Sequence, residues 1–95
     1  MTYLVTYELK NSSRNYEPFF SAAKTSGDMF SVFQNVFVLR IPPASNIRNV
    51  DELSHYLGRF LEQADRLLIY DITGRRPNGL MTKESWSHLN LQVQG

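Results

Sequence analysis

The run Thr2 to Lys10, T-Y-L-V-T-Y-E-L-K, constrains the fold more than any other stretch of the chain. Extended, it places Tyr3, Val5, Tyr7 and Leu9 on one face and Leu4, Thr6 and Glu8 on the other, because strand side chains alternate with a period of two. Both faces are apolar except near the end, where Glu8 stands. A carboxylate is costly to bury unless it is paired, hydrogen-bonded or metal-bound, so Glu8 must face water, meet a cation or sit at the margin of a sheet.

The polar link N-S-S-R-N follows, and then the period changes. Tyr16, Phe19, Phe20 and Ala23 fall at i, i+3, i+4 and i+7, which predicts a helix with Pro18 in its first turn and Asn15 or Glu17 as its cap. Gly27 is the expected left-handed residue closing it. Asp28 to Ile41 contains M-F-S-V-F and V-F-V-L-R-I on either side of Gln34-Asn35, the pattern of a tight hairpin. Its second strand sets Phe37, Leu39 and Ile41 on one face and Val36, Val38 and Arg40 on the other. Pro42-Pro43 ends the strand, since neither nitrogen can donate to a ladder.

Asn49 followed by Glu52 resembles a capping box. Val50, Leu53, Leu57, Phe60, Leu61 and Ala64 form the apolar stripe of a second helix. The segment R-L-L-I-Y-D-I-T, residues 66–73, is the last clear strand, apolar enough to suggest a central or well-covered place. The loop G-R-R-P-N-G carries Arg75 and Arg76, and Thr82 is the expected cap of a short closing helix through about Asn90, with Trp86 and Leu89 on one side.

The order β-α-β-β-α-β specifies an α+β fold. Right-handed crossovers place both long helices on one face of a four-stranded antiparallel sheet, the split βαβ or ferredoxin-like sandwich, in a single domain spanning residues 1–95. With 95 residues, 42% of them hydrophobic, there is material for one modest core and no second domain. The other sheet face, with Leu4, Thr6, Val36, Val38 and Arg40, is left half apolar. Such a patch marks a binding or subunit interface, so a homodimer through that face or through an edge strand is expected.

Composition narrows the chemistry. No cysteine is present, which removes disulfides, thiolate metal sites and a cysteine nucleophile. The net charge of +1 advertises no nucleic-acid partner, so any such contact depends on local clustering of the ten Lys and Arg residues. No basic stretch followed by an apolar run opens the chain, and no segment approaches the ~20 apolar residues of a membrane span. No membrane association and a cytoplasmic location are therefore expected. Phosphate loops, zinc spacings, G-x-S-x-G and H-E-x-x-H are all missing, and His55 and His88 read as surface residues.

Two constellations remain. Glu8 and Asp71 are carboxylates on strands, and a symmetric dimer could bring two copies of Glu8 together as a hard oxygen site for Mg or Mn; the plainer alternative is solvation or an ion pair, for instance with Arg40. Lys10, Arg14, Arg40, Arg75 and Arg76 could form a rim contacting phosphates, or the two loop arginines could simply be solvated.

The segments Y-L-V-T-Y-E-L, N-Y-E-P-F-F, M-F-S-V-F-Q-N-V-F-V-L-R, D-R-L-L-I-Y-D-I and G-L-M-T-K-E-S-W-S-H-L, taken in order and spacing, resemble the bacterial SinR-like proteins. These are related to the small ferredoxin-like CRISPR-associated endonucleases of the adaptation complex. The resemblance implies a homodimer that binds nucleic acid, with metal-dependent hydrolysis at Glu8 as the related activity. Those nucleases end the first strand in Tyr-Asp. Here the matching dipeptide is Tyr7-Glu8, whose carboxylate reaches one methylene further. The alternative from a different class is a non-catalytic dimeric protein-interaction module in which Glu8 makes ion pairs only.

Overall fold

The computed structural model describes residues 1–11, 13–75 and Lys83. In chain order these form β1 (Thr2–Glu8), α1 (Glu17–Ser26), β2 (Asp28–Phe33), β3 (Val36–Arg40), α2 (Val50–Gly58) and β4 (Arg66–Asp71). The strands make one antiparallel sheet in the spatial order β2-β3-β1-β4, and the α+β arrangement is compatible with a ferredoxin-like type. The expected closing helix from Thr82, with Trp86, His88 and Leu89, lies outside the described residues apart from Lys83.

The period-two reading holds within β1 and β3, although Leu9 and Ile41 lie just beyond the strands. Tyr3, Val5, Phe37, Leu39 and Ile41 are buried together with Phe19, Ala22 and Ala23 of α1 and Leu53 and Leu57 of α2. Fully burying a side chain of this kind contributes about 1.5 to 3 kcal/mol relative to leaving it in water. Tyr7 joins an aromatic cluster at the edge of this core, with ring centroids 5.6 Å from both Phe19 and Phe20 and 5.7 Å from Phe37. Tyr3 carries a defect into it: its hydroxyl is buried without a hydrogen bond.

The start of α1, the conformation of Gly27 after it and the end of α2 differ from the sequence expectation. At α1 the residue preceding the helix is Tyr16, with no side-chain cap, while Asn15 Oδ1 accepts the Glu17 N–H at 2.9 Å from one position further out. Gly27 is not left-handed: its φ of 176° and ψ of −165° are extended. Its lack of a side chain serves a close approach instead, because a Cβ there would collide with the carbonyl oxygen of Arg40. At α2 the cap is as expected, with Asn49 Oδ1 accepting the Glu52 N–H at 2.9 Å, but Glu52 returns to the Arg48 N–H at 2.8 Å. The helix stops at Gly58 and does not reach Ala64. Phe60 and Leu61 still pack on the core from tight turns, while Ala64 is exposed.

The hairpin turns on Gln34-Asn35, where Asn35 takes φ 63°, a left-handed conformation that asparagine tolerates better than most residues. The β2–β3 register slips between Ser31 and Phe33, a bulge. The last strand corrects the expectation of a central place. Among the described residues β4 lies at an edge, and its Leu68 and Tyr70 are 55% and 57% exposed. The face away from the helices is also less open than expected, since Val38 is fully buried among Leu4, Phe30, Val32 and Ile72.

Candidate functional site

Glu8 closes β1, directly across the antiparallel ladder from Arg66, the first residue of β4. Directly opposed residues share a face, so both project from the face away from the helices. Lys10, two residues further on, reaches the Glu8 Oε1 at 2.8 Å, and Arg66 Nε approaches the same oxygen at 3.8 Å. The Lys10 hydrogen bond, the Lys10 charge and the more distant Arg66 charge hold the Glu8 carboxyl below its ordinary value, against a smaller opposing effect of desolvation. The group remains about half exposed, at 53%. Beside it lies an open concavity of about 410 Å³ lined by Thr6, Tyr7, Glu8, Arg66, Leu67 and Leu68.

The loop leaving β1 is tied down by a polar network. Asp65 Oδ1 accepts from the Lys10 N–H and from the Tyr16 hydroxyl, both at 2.8 Å, and its Oδ2 accepts the Glu62 N–H at 2.8 Å. Partial desolvation is the largest influence on the Asp65 carboxyl and pushes it up, but the two backbone donors, Tyr16 and the Arg14 charge together bring it below its ordinary value. The Tyr16 hydroxyl is pushed up, first by desolvation and then by its hydrogen bond to Asp65. Arg14 completes the network: it pairs with Glu62 at 3.1 Å, donates to the Phe60 carbonyl at 3.1 Å and lies 5.4 Å from the centre of the Tyr16 ring. The tether explains why the chain abandons the α2 axis after Gly58. Asp65 has to meet Lys10 and Tyr16, and a helix continued to Ala64 would carry it away.

Of the proposed basic rim, the described residues Lys10, Arg14, Arg40 and Arg75 do not gather in one place. Lys10 stands at the Glu8 end of the sheet, and the Arg14 guanidinium is committed to Glu62 and Phe60. Arg40 pairs across from Thr2, six residues up β1 from Glu8, or about 20 Å along the strand. Arg75 follows β4 near that same far end, where its N–H donates to the Ile72 carbonyl at 2.9 Å. Arg76 lies outside the described residues. Glu8 thus has Lys10 and Arg66 as partners and not Arg40. Asp71, the carboxylate that ends β4, accepts the Thr73 N–H at 3.0 Å. Among the described residues no group of three or more acidic or histidine side chains is placed to hold a metal ion. Nor is any described helix long and apolar enough to cross a membrane.

Sequence reasoning missed Arg66 as the second cation and Asp65 as the anchor of the network. The Glu8–Arg66 pairing depends on a register between strands 58 positions apart, which no local pattern reports. Asp65 carried the ordinary signal of a turn residue and nothing more. No family model, curated protein or solved structure matches this chain.

Proposed function

We propose that this chain is a ferredoxin-like interaction module that works as a homodimer, with Glu8 serving ion pairs at the end of its sheet. The observation that carries this reading is the exposure of Leu68 and Tyr70, neighbours on one face of an edge strand. A large aliphatic and a large aromatic side chain held in water beside a concavity mark a surface that gains free energy when covered. The ion pairs of Glu8 with Lys10 and Arg66 support the same reading, since they give the carboxylate cationic partners within the chain. Sedimentation over a wide dilution series tests it: a dimer that dissociates on dilution is expected, and a monomer at the highest concentrations overturns it.

A second reading is favoured by the two cations, Lys10 and Arg66, beside Glu8. Here the SinR-like resemblance supplies the function, nucleic-acid binding with metal-dependent endonuclease activity at Glu8; Lys10, Arg14, Arg40, Arg75 and Arg76 are the contacts read from the sequence, and Arg66 joins Lys10 beside Glu8. Within one chain the surroundings of Glu8 do not fit Mg or Mn, because among the described residues it belongs to no group of three or more acidic or histidine side chains and two cations stand beside it. This reading therefore requires a face-to-face dimer that brings two Glu8 side chains together. Retention on a nucleic-acid column that weakens steeply with salt supports the binding part. Hydrolysis undiminished in Glu8→Ala removes the catalytic part.

A further inference from the structure

The outer edge of β4 has a definite backbone polarity. Ile72 N–H donates to the Thr2 carbonyl at 2.8 Å, which marks Thr2–Ile72 as a hydrogen-bonded pair of the β1–β4 ladder. Bonded and non-bonded pairs alternate in an antiparallel ladder, so Tyr70, Leu68 and Arg66 turn their N–H and C=O groups toward β1. The Thr6 hydroxyl, donating to the Leu68 carbonyl at 3.1 Å from the β1 side, agrees. Leu67, Ile69 and Asp71 therefore direct theirs outward. That is a set of three bonding positions centred on Ile69, and the exposed Leu68 and Tyr70 flank the same centre.

From this symmetry we infer that β4 pairs antiparallel with β4 of a second copy, about a two-fold axis at Ile69. The inference rests on the homodimeric reading above and specifies its interface. All three outward positions then find partners: Ile69 meets the partner's Ile69, and Leu67 meets the partner's Asp71 in each direction. Leu68 falls opposite the partner's Tyr70 twice, in non-bonded pairs where side chains come closest, about 4.5 Å between Cα atoms. The strand starts in Arg66 and ends in Asp71, so antiparallel pairing sets the positive end of each copy beside the negative end of the other. Nothing in β4 guards against this: it contains no proline, lysine or bulge, the usual protections of an edge.

The arrangement has a chemical consequence. Glu8 lies one strand inside β4 and level with Arg66, so its two copies end on the order of 25 Å apart, counting three strand spacings across and six residues along. A dimer of this kind cannot hold a metal ion between two Glu8 carboxylates.

Because the natural chain has no cysteine, disulfide trapping has no background. Leu68→Cys and Tyr70→Cys variants, each altered at an exposed position, are mixed under reducing conditions, allowed to exchange subunits and then oxidised. Disulfide-linked dimer is expected in the mixture and in neither variant alone. Self-linking of Leu68→Cys as readily as the mixture overturns the register centred on Ile69. A sedimenting dimer with no link in any sample overturns β4 as the interface while leaving the homodimer standing. A monomer in sedimentation of the unaltered chain removes both.

Discussion

The two outer strands of the sheet, β2 and β4, are each six residues long, yet they treat their free edges differently. β2 is anchored and irregular. Gly27 lets its start lie against the Arg40 carbonyl, Asp28 pairs across from Arg40, and a bulge between Ser31 and Phe33 breaks the ladder near its end. β4 is regular through all six residues, in unbroken register with β1 from Tyr3–Asp71 to Glu8–Arg66. A bulge increases local twist and spoils a strand as a template, whereas a strand in unbroken register with exposed Leu68 and Tyr70 remains one. The difference teaches that edge strands of equal length and similar apolarity are not equivalent surfaces. Phe33 on β2 is as exposed, at 55%, as Leu68 on β4, but it sits beside a broken ladder.

The largest expected effect falls on the anchored edge. Gly27→Ala drives a methyl group into the Arg40 carbonyl and to 3.2 Å from the Ile41 Cα, both of them backbone and unable to swing aside. A loss of about 3 kcal/mol is expected, at the upper end of ordinary overpacking, and a urea denaturation midpoint reads it. An unchanged midpoint would mean that β2 is not held by this contact. Next comes association. Leu68→Lys should weaken the dimer at least about tenfold, equivalent to about 1.4 kcal/mol, while Phe33→Lys leaves it unchanged. Sedimentation equilibrium on the two variants compares the edges directly, and equal effects would erase the distinction drawn between them.

The smallest effect is the response to acid at the shared end of β1 and β4. Glu8 and Asp65 both ionise more readily than usual in the folded chain, so their contribution is fully present above their ordinary values of 4.5 and 3.8. It is lost as the pH falls through the lowered folded values. Denaturation midpoints should therefore hold steady near neutrality and decline below about pH 4. Glu8→Gln should shallow that decline only slightly, because the group is half exposed and its pairs are screened by water. A Glu8→Gln variant as acid-stable as it is at neutral pH would assign to Glu8 the share expected of Asp65.

Much of the fold was legible locally. The alternation in β1 and β3, the stripe through Phe19 and Ala23, the Asn49 cap and the Gln34-Asn35 turn all express the geometry of a few consecutive residues, and all were realised. The sites that escaped local reading depend on distant partners. Residues 59–64 continue the helical spacing of α2, but the tether of Asp65 to Lys10 and Tyr16 overrides it. Gly27 carries the sequence signature of a helix end, while its real constraint is the Arg40 carbonyl, 13 positions on. The Glu8 end was found as a lone acid, and its cation across the sheet was not.

By itself, then, the sequence determined the order of the six described strands and helices and the apolar face of β1, β3 and the two helices. Periodicity is a property of the chain's own backbone geometry and needs no partner to be read. Only the tertiary structure decided that β4 stands at an edge, that Glu8 meets Arg66 instead of Arg40, and that Leu68 and Tyr70 remain in water. The run R-L-L-I-Y-D is equally compatible with burial on both faces and with one covered face beside an exposed one. Hydrophobicity is non-directional, and the choice between those outcomes belongs to strand order and register, which the packing of the whole chain sets.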